Sequence, residues 1–226
     1  MPPPANILPL CRVVILVCIR PFLAEVIMKK WIPILVVLGV IAVGMAGLVG
    51  QYNRMVDLDE AVAGQWGNVE NVYQRRADLI PNLVETVKGY AAHERETLEA
   101  VVKARADATR MEARLTPESL DDPQALERFQ AVQNELSSAL GRLMVVIEKY
   151  PDLKANEGFR DLQVQLEGTE NRIAVERRRF NETAQSFNTV IRRFPGNMVA
   201  GMFGFTKKAY FEAAEGSAVA PKVDFR

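Results

Sequence analysis

The chain has 226 residues, with 28 Lys and Arg balanced by 28 Asp and Glu, one His, two Cys and 49% hydrophobic residues. Zero net charge without a basic run speaks against nucleic acid, because phosphate binding needs clustered cations. Cys11 and Cys18 both precede residue 30 and His93 is alone, so the chain is poorly supplied for thiol chemistry, His-dependent catalysis or a His/Cys metal centre.

Residues 1–27 hold both cysteines and five prolines. The apolar run Val13–Ile19 is flanked by Arg12 and Arg20 and is too short to cross a bilayer. Met28-Lys29-Lys30 is by itself a complete start for an anchored protein, so residues 1–27 read as an overextended gene start or a disordered leader, with a second membrane contact as the alternative.

Residues 28–51 are the expected anchor. No charged residue occurs from Trp31 to Asn53, and about 20 apolar residues at 1.5 Å each cover a hydrocarbon core of roughly 30 Å. Trp31, Leu35, Val37, Ile41 and Leu48 carry this reading, with the bilayer as partner of residues 31–50. Lys29 and Lys30 precede the stretch and Asp57, Asp59 and Glu60 follow it. The charge bias then predicts a single-pass protein of the cytoplasmic membrane, N-terminus inside and residues 52–226 outside. Gly44-Met45-Ala46 could serve a signal peptidase, but the stretch is longer than a signal core. No cysteine follows it, which rules out a lipoprotein anchor.

From residue 52 the apolar positions recur every three or four residues, as in Met55, Leu58, Val62, Trp66, Val69 and Tyr73. Similar stripes run through 123–149 and about 155–193. Asp122-Pro123 and Thr116-Pro117 are helix starts, while Tyr150-Pro151 and Phe194-Pro195 are stops. Such stripes can be hidden only against one another, which predicts an all-α bundle over 52–194. Pro81 is ambiguous. The stripe passes through it without a phase break, as in a kinked rod. Arg75 and Arg76, however, suit a helix end and Asp78 suits the next cap. An unbroken rod of roughly 63 residues would reach about 95 Å. A break near Asp78 is the favoured expectation.

The runs YNRMVDLDEAVAGQW and YQRRADLIPNLVETVKGYAAHE resemble the LemA family of bacterial envelope proteins. So do Glu148–Pro195 and the closing FGFTKKAYFEA, which extends the match over about residues 28–214. The resemblance implies an N-terminal membrane anchor followed by an antiparallel four-helix bundle. It also implies an envelope protein as partner, with a membrane protease as one candidate. Residues 1–27 have no counterpart in the family pattern.

No catalytic, cofactor-binding or metal-binding set emerges. A di-iron bundle needs two Glu-x-x-His motifs, yet Tyr90 stands three before His93, which reads as a partly exposed helix residue. Gly196, Gly201 and Gly204 follow no strand and read as flexible tail. The candidates that remain form a structural polar network: Arg76, Asp78, Glu94, Glu148, Glu170, Arg177, Asn181 and Asn188. Arg177 shares a helix face with Ile173, Phe180, Ala184 and Phe187, so it is expected to enter the core opposite Glu94, Glu148 or Glu170. Residues 195–226 carry an apolar patch, Met198, Val199, Met202, Phe203 and Phe205, beside Lys207 and Lys208. It would either meet the bilayer or fold back over the end of the bundle. The functional expectation is a membrane-anchored scaffold, against a small-ligand or enzymatic site in a polar interior, or a lipid-binding module. Oligomerisation is left open.

Overall fold

The computed structural model describes residues 8–212, which are helical or irregular, with no strand among them. The chain divides into two compact units, Met1–Gln51 and Tyr52–Arg226. Helix α1, Leu8–Tyr90, contributes to both. It begins inside the expected leader, whose first seven residues lie outside the described ones, as do residues 213–226 of the tail.

In the first unit the described side chains from Trp31 to Gly50 are exposed, among them Trp31, Leu35, Val37, Ile41 and Leu48. One helix among the described residues is long and apolar enough to cross a membrane, with a mean hydropathy of 2.4 in its most apolar window.

In the second unit the expected break at Asp78–Pro81 does not occur, because α1 continues to Tyr90. A proline inside a helix removes the N–H that would bond the carbonyl four residues back. Here that carbonyl belongs to the buried Ala77, and Arg105 donates to it from its Nε at 2.7 Å. The donor missing from Pro81 is thus supplied from another helix. The chain turns instead at Ala91–Glu94, where Glu94 N–H bonds the Ala91 carbonyl at 3.0 Å, and His93 lies exposed in that turn rather than in a helix.

Helix α2, Arg95–Glu112, follows and packs along α3, Pro123–Ile147. Between them lies a 3-10 turn, Pro117–Asp121, entered where Thr116 N–H donates to Ser119 Oγ. The Asp122 cap is present, its carboxylate accepting from Gln124 N–H at 2.9 Å. A short helix, α4, Pro151–Ala155, leads to α5, Glu157–Arg192, which Asn156 caps by accepting from Phe159 N–H. The glycines read as flexible tail instead build helix α6, Gly196–Phe203. Gly196 has no alternative there, since a Cβ would lie 2.3 Å from the Val190 carbonyl oxygen. Gly204 ends α6 with φ +78°, the left-handed cap that glycine adopts without strain.

The buried apolar residues form two clusters. The first gathers Met55, Trp66, Phe129, Phe180, Phe187 and their neighbours, and the second Ile80, Leu83, Val101, Leu143, Phe159 and theirs. Each draws on α1, α3 and α5, so the same helices build both.

Candidate functional site

Between the clusters lies a polar layer. On α1, Arg76 falls between Tyr73 of the first and Ile80 of the second; on α3, Gln133 falls between Phe129 and Leu136; on α5, Glu170 falls between Leu166 and Ile173. Arg76 is 1% exposed. Its Nη1 donates to Glu170 Oε1 at 2.8 Å and to Ser137 Oγ at 3.0 Å, and its Nη2 donates to Gln133 Oε1. The guanidinium carbon also lies 5.1 Å from the Tyr73 ring centroid. A buried charge requires this kind of enclosure, and here one helix supplies the cation while two others satisfy it. Its Nε has no partner among the described residues.

Glu112, at the end of α2, is drawn into the same neighbourhood. Burial pushes its carboxyl up to about 7, with the nearby Glu70 and Asp78 adding to the rise and Arg76 opposing it. Burial likewise raises Tyr73, against the pull of Arg177 and Arg76.

The second polar construction holds the chain after α6. Asn181 donates from Nδ2 to the Phe211 carbonyl at 2.9 Å and accepts from Phe211 N–H at 2.8 Å. Asn188, two turns along α5, repeats this with Lys208, at 2.9 Å in each direction. Gln130 of α3 makes the equivalent pair with Glu212, at 2.6 and 3.3 Å. A carboxamide offers one donor and one acceptor, which matches the peptide unit it grips. Residues 205–212 are thereby strapped between α3 and α5, and Phe211 is buried against Trp66, Phe129 and Phe180 at ring-centroid distances of 5.4 to 6.4 Å.

Lys208 fastens the strap to α1 and the 3-10 turn. Its ammonium lies 2.8 Å from Asp59 and 2.7 Å from Asp121. Burial pulls its pKa down, but the bonds to Asp121 and Asp59 outweigh this and the net shift is upward. Ala209 N–H adds a bond to the Leu120 carbonyl at 3.0 Å, and Thr206 Oγ1 donates to Asp121.

The polar residues singled out from sequence therefore separate. Arg76 and Glu170 meet; Asn181 and Asn188 meet the strap rather than each other. Asp78 is exposed and accepts from Gln74. Glu94 accepts from the Tyr150 hydroxyl at 3.0 Å, and Glu148 pairs with Lys154 at 2.7 Å. The expectation for Arg177 requires correction. It is only partly buried, meets none of the three proposed carboxylates, donates to the Glu212 carbonyl and lies over the Phe211 ring at 4.8 Å. Phe211 fills the core beside that helix face and leaves Arg177 at its edge. Sequence reasoning missed Gln130, Gln133, Arg105 and Phe211. Gln130 and Gln133 stood out only as polar residues within an apolar stripe, and Arg105 and Phe211 carried no local signal.

Among the described residues no group of three or more His, Cys, Asp or Glu side chains is placed to hold a metal ion. Arg76 is held through both Nη atoms by Glu170, Ser137 and Gln133, and the strap is a backbone clamp. Neither brings a nucleophile to a base.

These features define an all-helical protein with one apolar N-terminal helical stretch. Residues 65–225 match the model of the LemA family, and the chain belongs to that family. It is 28% identical over 190 residues to Magnetosome protein MamQ 2 of Paramagnetospirillum magneticum, covering 78% of this chain and 70% of that one. Magnetosome protein MamQ of Magnetospirillum gryphiswaldense is 27% identical over 178 residues, 73% and 65% of the two chains. Protein LemA of Metamycoplasma hominis is 25% identical over 167 residues, 74% and 71% of the two.

Proposed function

We propose that this protein is a membrane-anchored helical scaffold of the bacterial cell envelope, presenting the surface of its helical domain to another membrane protein. The observation that carries this reading is the uncharged, exposed apolar stretch of α1, a helix that continues into a domain built on two buried apolar clusters. The direction of packing supports an antiparallel four-helix arrangement of α1, α2, α3 and α5. Tyr150 and Asn156 tie the α4 end to Glu94 and Tyr90, while Gly196 after α5 meets Met55. Its kin carry the names LemA and MamQ, which denote no enzyme. An enzymatic reading would need a nucleophile or metal set beside unpaired carboxylates, whereas Glu170 of the central layer is paired with Arg76 and Glu112 nearby stands without such a set among the described residues.

Lys29 and Lys30 support an N-inside, single-pass topology with the domain outside the cytoplasmic membrane. Protease added to spheroplasts should digest the domain, and the full chain should remain in membranes after alkaline carbonate washing. Release by carbonate would overturn the anchor, and protection in sealed spheroplasts would overturn the orientation. Photocrosslinkers at the exposed Val145 and Val164 of membrane-embedded protein should then yield one recurrent envelope partner. Random adducts at both positions would count against a scaffold.

A further inference from the structure

The second unit has a concentration of exposed large apolar side chains that its own packing does not explain. Phe194, Met198, Met202 and Phe203 are 79%, 58%, 74% and 59% exposed. They follow the outward positions of α6 and the residues just before it. Val199 and Ala200 face inward, and Gly196 fixes the start of α6 against Val190 and Met55. The helix is therefore held firmly with its apolar side outward. Of the patch expected from sequence, Val199 and Lys208 are turned inside and Phe205 is half-buried, so Phe194 takes a place that the linear pattern did not assign it.

The location of the patch indicates what covers it. The Phe203 ring centroid is 4.7 Å from that of Tyr52, and Phe205 lies 5.9 Å from the same ring. Tyr52 is the first residue of this unit and belongs to the uncharged run ending at Asn53. These ring contacts bring the patch to the level where that run ends. Exposed cations flank it along the chain, Arg54 just after Tyr52, Arg192 and Arg193 just before Phe194, and Lys207 just after Phe205, none in an ion pair among the described residues. The first exposed carboxylates on α1, Asp57 and Glu60, come about 7 and 12 Å further along the helix. An apolar face with cations beside it in the chain, and the carboxylates of α1 set back, has the composition of a helix lying in an anionic lipid interface.

We propose that α6 and Phe194 form an interfacial membrane-binding site. Phe194, Met198, Met202 and Phe203 enter the headgroup–acyl boundary, and Arg192, Arg193 and Lys207 contact anionic lipid headgroups. This rests on the reading that residues 31–50 span the bilayer. It adds a second, lateral contact that would hold the domain against the membrane surface instead of leaving it on a single tether.

The test uses the full chain carrying Cys11→Ser and Cys18→Ser, reconstituted in vesicles of phosphatidylglycerol and phosphatidylethanolamine. An environment-sensitive fluorophore is placed on Met202→Cys, and, in separate samples, on His93→Cys and Val40→Cys. Lipid-borne quenchers should quench residue 202 several-fold more than residue 93, and less in phosphatidylcholine vesicles. Quenching at 202 no greater than at 93, while Val40 is quenched, overturns the interfacial site and leaves the anchor standing. An unquenched Val40 overturns the anchor itself. Equal quenching at 202 in both lipid mixtures overturns the role given to the cations. Self-quenching between probes at 202, without lipid quenching, overturns the proposal in favour of a contact between two copies. Met198→Gln/Met202→Gln, melting like the parent, should lose the quenching of a probe on Gly201→Cys. Retained quenching would mean that these side chains do not enter the lipid.

Discussion

At the scale of single residues, the charge economy of the interior rests on Arg76. Its carboxylate partner, Glu170, keeps 41% of its side chain exposed, so water moderates the pair. Breaking a fully buried pair costs about 3–5 kcal/mol. Glu170→Ala is accordingly expected to cost less, about 2 kcal/mol by denaturant melts. The double variant Arg76→Met/Glu170→Ala should recover part of that loss, because no uncompensated charge remains; strict additivity would show that the two side chains do not interact. Glu112 gives a second expectation. Its folded carboxyl holds a proton to about pH 7, whereas the unfolded one releases it near 4.5. The folded state therefore binds more protons across that window, and stability falls as pH rises through it. Glu112→Gln should flatten this slope and melt higher than the parent at pH 8, with the gap closing at pH 5. Identical pH profiles would place Glu112 in water. Arg76 and Glu170 could be picked from the sequence as polar intruders near apolar stripes, but their pairing could not. Sharing one helix face with Ile173, Phe180 and Ala184 says nothing about which residue of another helix stands opposite, and that face pointed to Arg177.

At the scale of elements, the amphipathic helices and their Asp122 cap are legible because period and cap chemistry are local. Pro81 is the instructive failure. Its local cost is a lost donor to the Ala77 carbonyl, and a residue 24 positions later offsets that cost. Arg105→Met should expose the deficit at about 1–3 kcal/mol, the usual penalty for a buried acceptor left unpaired. Adding Pro81→Ala should return most of it, since alanine restores the N–H. If Pro81→Ala stabilises the parent and the Arg105→Met variant equally, Arg105 does not satisfy that carbonyl. The strap is illegible for the same reason of range: Gln130, Asn181 and Asn188 reach its backbone across 82, 30 and 20 residues. Nothing within residues 205–212 announces an extended segment.

At the scale of the whole domain, the two apolar clusters share helices but are separated by the Arg76 layer, and only the first contains the strap. Phe211 reaches Trp66, Phe129 and Phe180, so truncating it opens a cavity inside that cluster. Phe→Ala in a core costs about 3–5 kcal/mol. The clusters meet across the bonds of the Arg76 layer and not through shared apolar packing, so a cavity in the first removes dispersion contacts from that cluster and not from the second. Phe211→Ala is thus expected to melt the domain unevenly. Backbone amides around Phe129, Phe180 and Phe187 should exchange with solvent about 100-fold faster, as a loss near 3 kcal/mol implies when opening is fast. Those around Leu83 and Leu143 should keep most of their protection. Asn188→Ala, which loosens the strap without emptying the core, should affect the same first set more weakly. Uniform acceleration at all five positions would mean that the Arg76 layer couples the clusters into one cooperative unit, and that the strap supports the entire domain rather than the half it touches.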